Sequence, residues 1–334
     1  MSELRQDPTT EEWVIIARER AKRPADFVRQ QAKPELPVFS ASCPFCPGNE
    51  AMTPPETLSY RDKENQKWRV RVISNQFPAL SPEGNTARKL NDDFFISMDG
   101  MGIHEVVIET PEHNKALALQ EKSGVVDILH AYRERYNAMI RVPFVKLVII
   151  YKNYGPMAGT TLEHSHSQLV ATPVIPKQLR TQHKVAARYY GSTGSYLYAD
   201  MVSHEIKSGK RIVMETGSFV AFHPFASHSA FETWIVPKVN QSSFGDISTN
   251  DLEDLAHILR IILLKLHRGL NNPDFNYVIN SAPAGDEDKN CFRWHMRIIP
   301  RLIELSGFEI GSGINMNAVV PEETAKFMRE MKVG

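Results

Sequence analysis

The chain of 334 residues predicts an α+β fold made of two related units, each an antiparallel sheet with a helix laid across it. Three observations carry that prediction. Short strand-like runs alternate with two long amphipathic stretches, the same order of landmarks occurs twice, and each pass closes with a histidine-bearing strand that ends at proline.

The elements follow in order. Residues 1–60 are rich in proline and polar residues, with one strand-like run at 13–17. Short β-type runs come next at 69–73 and 105–108. A helix is expected over 119–140, where Val125, Ile128, Leu129, Tyr132 and Tyr136 recur at helical spacing. Residues 145–151 read as a buried strand, followed by a loop with Gly155 and Gly159 and a strand over 164–171 closed by Pro173 and Pro176. The second pass gives strands at 219–222 and 231–236, then a helix over 251–266 with Leu252, Leu255, Ile258 and Leu259 on its apolar face. A strand at 275–280, a loop at 282–288 and a strand at 292–299 ending at Pro300 complete it. The mixed, basic stretch 177–212 is expected to connect the passes. The division is therefore placed at 1–176 and 177–334.

Bulk properties exclude several classes. Apolar residues make up 42% of the chain, enough for a real core and too many for a disordered one. Lys plus Arg and Asp plus Glu number 39 each, so no global field draws nucleic acid or a membrane surface. An anionic ligand must be held by local basic groups. No basic stripe interleaved with aromatics points to nucleic acid. Apolar runs such as 147–151 are far too short to cross a bilayer, and the first residues lack the apolar core of a signal peptide. Three cysteines cannot build a disulfide framework. The expected location is the cytoplasm.

Chemistry concentrates in Glu163-His164-Ser165-His166-Ser167-Gln168. On a strand alternate side chains share a face, so His164, His166 and Gln168 would point one way. A solvated edge strand with incidental histidines leaves that alignment unexplained. Either both rings bind one metal, or one binds metal and the other is a free nucleophile. A neutral imidazole attacks phosphorus without an added base and leaves again readily. Spacing alone does not choose between the two. Cys43-Pro-Phe-Cys46 offers two thiolates at the spacing of a tetrahedral zinc site, and its flanks lack the strand and helix of a thioredoxin-type redox pair. The other two ligands must come from elsewhere, with His113 and His164 as candidates and His104 as competitor. The basic run from Arg18 to Arg23 can clamp a phosphate or be plain surface.

Ordered blocks along the chain resemble the galactose-1-phosphate uridylyltransferases and their relatives the ADP-glucose phosphorylases, within the histidine-triad superfamily. They include Asp7 to Trp13, Arg20-Ala-Lys-Arg-Pro24, Cys43 to Asn49, Ser74-Asn-Gln-Phe-Pro78, His104 to His113, Asn153 to Gln168 and Gly307 to Gly313. The resemblance implies duplicated histidine-triad-like units. It implies one structural zinc bound by Cys43, Cys46, His113 and His164, with His166 as the nucleotidylated nucleophile and Gln168 as donor to the phosphoryl oxygens. It further implies Arg20 and Arg23 near phosphates, Phe45, Asn75 and Phe77 around base and ribose, and Asn153, Gly159, Thr160 and Thr161 facing the phosphate. The expected partners are UDP-glucose and a hexose 1-phosphate, with galactose 1-phosphate foremost, in a homodimer. ADP-glucose with phosphate is the alternative, because Gly311-Ser-Gly-Ile-Asn-Met-Asn317 resembles the phosphorylase branch. A histidine-triad nucleotide hydrolase and a non-catalytic nucleotide-binding module are the further rivals. A second metal site of relatives falls here on Ser195, Tyr198, Asn240 and His295, so no second metal is expected.

Overall fold

The computed structural model describes residues 1–18, 23–287, 289–304 and 306–333. Its centre is a ten-stranded sheet. One half comprises β3 (Glu56–Arg61), β4 (Trp68–Ser74), β7 (Ile103–Ile108), β8 (Leu147–Tyr154) and β9 (His166–Thr172). The other comprises β10 (Ile212–Glu215), β11 (Phe219–Phe222), β12 (Thr233–Pro237), β13 (Phe275–Asn280) and β14 (His295–Pro300). The spatial order is β10-β11-β12-β14-β13-β8-β9-β7-β4-β3. It reads the same from either end once the halves are matched, so the duplication expected from landmark order is present as a pseudo-two-fold. The two halves join where β8 and β13 pair antiparallel, with Tyr151 opposite Val278.

Helices α1 (Lys122–Ile140) and α4 (Thr249–Gly269) occupy matching places and pack on each other. The buried residues of α1 include Val125, Ile128, Leu129, Tyr132 and Tyr136, as the spacing predicts. Ser248 caps α4 by accepting from the Asp251 amide. Each fully buried Leu or Ile contributes roughly 1.5–3 kcal/mol, and both helices turn their buried faces into the large core cluster.

The connecting stretch is two helices rather than an irregular linker: α2 (Lys177–Thr193) and α3 (Leu197–Ser208). They were not expected, because their apolar stripes are narrow and interrupted by basic residues. Both end in a left-handed glycine, Gly194 and Gly209, where the missing Cβ permits a positive φ. Five further short strands lie outside the ten-stranded sheet. The exposed hairpin of β5 (Lys89–Asn91) and β6 (Phe95–Ser97) stands alone. The strands β1 (Glu3–Gln6) and β2 (Trp13–Ile16) pair with each other, and β2 also pairs parallel with β15 (Asn315–Asn317), tying the start of the chain to its end. Short α5 (Gly307–Ser312) and α6 (Pro321–Glu330) complete the fold. Among the described residues no helix is long and apolar enough to cross a membrane.

Candidate active site and metal centre

Cys43, Cys46, His113 and His164 converge, all buried, with one ligand atom from each lying within 4.8 Å of the others. His164 Nδ1 is 3.6 Å from each thiol sulfur, and His113 Nδ1 is 3.5 Å from Cys46 Sγ. A tetrahedral ion with bonds of about 2.3 Å to sulfur and 2.0–2.1 Å to nitrogen sets sulfur and nitrogen about 3.5 Å apart. The pocket is thus already dimensioned for one. Outer contacts fix the ligands: His164 Nε2–H donates to the Thr110 carbonyl at 2.7 Å, leaving Nδ1 bare for metal. The Ser40 amide points at Cys46 Sγ, and Asn49 Nδ2 ties down the carbonyls of Ser40, Ala41 and Cys43. Burial pushes the Cys43 thiol up; a bound cation would reverse that by stabilising the thiolate.

His164 lies two residues before β9 rather than inside it, so it is free to turn into the cluster. His166 opens the strand. Its Nδ1–H donates to the His164 carbonyl at 2.8 Å, which leaves the Nε2 lone pair as the available nucleophile. Burial holds the His166 imidazole below its ordinary range, so it is neutral near pH 7. The edge of Phe45 packs against both rings, 5.4 Å from His166 and 6.1 Å from His164 between centroids.

Beneath His166 lies a buried ion pair that sequence reading missed. Lys152 Nζ donates to Glu109 Oε2 at 2.6 Å, to Ser165 Oγ at 3.0 Å and to the His166 carbonyl at 2.9 Å. Burial raises the Glu109 carboxyl, but the Lys152 charge and its hydrogen bonds outweigh that and hold it below the usual range. Tyr132 OH reaches Ser167 Oγ at 2.6 Å. These groups hold the His166 carbonyl and the serine hydroxyls on both sides of it. A lysine at the end of the apolar run 147–151 was the available signal, since an unpaired lysine is almost never fully buried.

His164 and His166 line a cleft of about 380 Å³ together with Asn153, Tyr154 and Thr160. Arg29 and Lys33 stand on its other side, also missed; both reach buried Asp274, at 3.3 and 2.9 Å. Asn153 is held by Asn276 Nδ2 at 2.7 Å, and Thr160 donates to the Asn153 carbonyl at 2.9 Å. Gly155, at φ 86°, must lack a side chain, because a Cβ there would sit 2.3 Å from Asp274 Cγ. Gly159 is left-handed at φ 82°; Gly159 and Thr161 are exposed beside the cleft and do not line it.

The remaining expected residues are spread out. Arg20 lies outside the described residues. Arg23 is exposed at the start of a short turn of helix, Pro24–Phe27, and does not line the cleft. Asn75 sits beside His104, and Phe77 is 84% exposed on the loop that follows. His104 is not in the metal cluster; its Nε2–H donates to Gln168 Oε1 at 2.7 Å. Gln168 shares the His166 face of β9 but is not among the cleft-lining residues. Elsewhere, Tyr198 stacks on His295, and Asn240 Oδ1 accepts from Arg293.

A metal-dimensioned cluster that fixes the strand start, next to a neutral imidazole at a cleft carrying two cations, defines an enzyme of group transfer to and from anionic substrates. The sequence model of the galactose-1-phosphate uridyl transferase N-terminal domain matches residues 1–176 and that of the C-terminal domain residues 179–332, and the chain belongs to this family. It is 36% identical to an ADP-glucose phosphorylase of Arabidopsis thaliana, covering 99% of this chain and 93% of the relative. It is 27% identical to a galactose-1-phosphate uridylyltransferase of Thermotoga maritima, covering 100% and 99%. Among solved structures, the Arabidopsis thaliana ADP-glucose phosphorylase with bound ADP-glucose superimposes with a TM-score of 0.86 at 35% identity, covering 100% of both chains. A uridylyltransferase structure does so with 0.76 at 26%, covering 98% and 97%.

Proposed function

We propose that the protein moves a nucleoside monophosphate from a nucleotide sugar to a phosphate-bearing acceptor through a covalent intermediate on His166. The observation that carries this is the His166 ring itself: neutral, its Nδ1–H engaged by the His164 carbonyl, its Nε2 left as nucleophile. In the first half-reaction Nε2 attacks the α-phosphorus, a P–N bond forms, the bond to the β-phosphate oxygen breaks, and glucose 1-phosphate leaves. In the second, an acceptor phosphate oxygen attacks the same phosphorus and the P–N bond breaks. Positioning and charge neutralisation supply most of the rate. Gln168 donates to the phosphoryl oxygens. Arg29 and Lys33 join Asn153 and Thr160 around the phosphates, with Gly159 and Thr161 beside the cleft, Arg20 and Arg23 near the phosphates, and Phe45, Asn75 and Phe77 toward base and ribose. The ion in the cysteine–histidine cluster is zinc, which suits this donor set, and its role is to fix His164.

In the uridylyl form, UDP-glucose gives UMP to galactose 1-phosphate; the family models over both halves of the chain support it. The adenylyl form, ADP-glucose with inorganic phosphate, is favoured by a specific observation: the 36% identity to an ADP-glucose phosphorylase against 27% to a uridylyltransferase. In either form residues 1–176 carry the metal and nucleophile, residues 177–334 complete the sugar-nucleotide site, and the enzyme works as a cytoplasmic homodimer. The mirrored strand order supports that division. Turnover with UDP-glucose plus galactose 1-phosphate, set beside ADP-glucose plus phosphate, tests both forms. Release of free nucleoside monophosphate without an acceptor would instead mark a hydrolase, and binding without any turnover would end the proposal.

A further inference from the structure

We infer that His104 is a positioning residue whose work is to turn the Gln168 amide so that its N–H groups face the phosphoryl group on His166. The inference rests on the proposed role of Gln168 as phosphoryl donor and adds what orients it.

A glutamine side chain ends in an oxygen that only accepts and a nitrogen that only donates, and a free amide adopts either orientation. Here the choice is made by two neighbours. His104 Nε2–H donates to Gln168 Oε1 at 2.7 Å, and Tyr151 OH donates to the same oxygen at 2.9 Å. Both lone-pair directions of that oxygen are taken. The Gln168 Nε2 makes no hydrogen bond with any described residue, so both of its N–H groups remain for a ligand. Reversing the amide would set Nε2 against the Nε2–H of His104, donor against donor. His104 is itself held in that tautomer: Asn75 Nδ2 and the Ala79 amide both point at its Nδ1, at 3.4 and 3.5 Å, which leaves the proton on Nε2.

The other half of the molecule repeats the arrangement with different chemistry. Gln168 lies opposite Val106 across β9 and β7, and His104 is two residues before Val106. Arg297 lies opposite Trp234 across β14 and β12, and Glu232 is two residues before Trp234. Arg297 Nη2 donates to Glu232 Oε1 at 2.8 Å across that same diagonal. The diagonal partner on the neighbouring strand thus sets the side chain in both copies. Where the pair is ionic, Arg297 is turned inward and spent on Glu232. Where it is His104 and Gln168, the amide keeps its donors free.

The test is a double-mutant cycle on the nucleotidyl transfer rate, read from a preformed His166 adduct. Gln168→Ala is expected to slow transfer by about 10²-fold or more, as loss of a transition-state donor does. His104→Ala is expected to cost about tenfold in kcat with KM for the donor nearly unchanged. In the Gln168→Ala background, His104→Ala should cost nothing further, because its route to the reaction is gone. His104→Gln, which can still donate to Gln168, should recover most of the rate, and Tyr151→Phe should give a partial loss of the same kind. Full activity in Gln168→Ala would remove the underlying reading of that residue. A large loss in Gln168→Ala with losses that simply add, or with no recovery in His104→Gln, would overturn the positioning role while leaving Gln168 in place. Metal content and the melting temperature are followed in every variant. If His104→Ala does not fold, Tyr151→Phe combined with Gln168→Ala carries the same cycle.

Discussion

The ring of His166 is anchored to the backbone of His164, Nδ1–H to carbonyl at 2.8 Å, so the residue that turns into the metal cluster also sets the tautomer of the proposed nucleophile. The two roles are separable. His166→Ala leaves all four cluster residues intact, so metal content and folding should match the parent protein. Labelled nucleotide should no longer attach, and turnover should fall by at least about 10⁴-fold, as for loss of a nucleophile elsewhere. Mass spectrometry of the intact chain checks it, and an adduct of normal yield in the variant would sink the mechanism.

Removing a cluster residue should do the reverse. Cys46 lies 3.5 and 3.6 Å from the two histidine nitrogens, so Cys46→Ser deletes a ligand at the centre of the cluster. Metal should be lost, and the melting temperature should fall by about 10 °C, taking roughly 3–5 kcal/mol at about 2–4 °C per kcal/mol. Adduct formation should fall with it although His166 is untouched. Elemental analysis and calorimetry on the same sample measure this; a metal-free variant with full adduct yield would show that the ion does not position His166.

The strand that carries the proposed nucleophile was more legible than its supports. The His-x-His-x-Gln pattern and the Cys-x-x-Cys pair are local, and local spacing can be read directly. What sequence could not reveal is which distant groups close around them. Lys152 and Glu109 are 43 positions apart, and only the adjacency of β7, β9 and β8 brings them together. Arg29 and Lys33 fell in a proline-rich stretch without periodicity. Their target Asp274 lies in the other half of the chain. The spacing around His104 allowed a metal ligand, and it took the fold to show its ring on Gln168 instead. The helices spanning 177–208 escaped because basic residues blur their stripes, whereas the stripe of α4 was broad enough to be found.

The Glu232–Arg297 pair predicts a limit on acid stability. Burial alone would raise the Glu232 carboxyl, but Arg297 outweighs it and holds it at about 2. Unfolded, it titrates near the ordinary value of about 4.3. A carboxyl depressed on folding stabilises fully above its unfolded value, and that stability drains away as pH falls from about 5 toward 2. The linked contribution is on the order of 3 kcal/mol. Urea unfolding at pH 7, 5, 4 and 3 should therefore show steep loss below pH 5. Glu232→Gln, which leaves Arg297 buried without its counter-charge, should be weaker at pH 7 and should lose up to one proton's worth of that slope. An unchanged slope in the variant would place the acid lability elsewhere.

Gly155 offers a test of the loop beside His166. Its positive φ is strained for any L side chain, and a Cβ there collides with Asp274, whose Oδ2 accepts from the Met157 amide at 2.8 Å. Gly155→Ala should cost about 1–3 kcal/mol or more in stability. It should also displace the 155–160 segment, raising KM for the nucleotide sugar more than it lowers kcat. Steady-state kinetics and thermal melts decide it, and a variant with parental KM would detach this loop from the substrate.

One histidine in the other half mirrors the proposed nucleophile. His295 opens β14 as His166 opens β9, and its Nδ1–H donates to the carbonyl two residues back, on Arg293, at 3.0 Å. Yet His295 is fully buried, stacked against Trp234 at 4.5 Å with the rings 12° from parallel and flanked by Tyr198. Burial holds its imidazole down at about 3, so it stays neutral, but no substrate phosphorus can reach it. One nucleotide per chain should therefore attach at saturation, on His166 alone. His295→Phe keeps a ring in the stack, so attachment should remain at one. The cost should be about 1–3 kcal/mol for leaving the Arg293 carbonyl without its donor. Peptide mapping of the labelled protein reads this directly: label on the segment that carries His295, or half the stoichiometry in the variant, would show that the second copy has kept its chemistry.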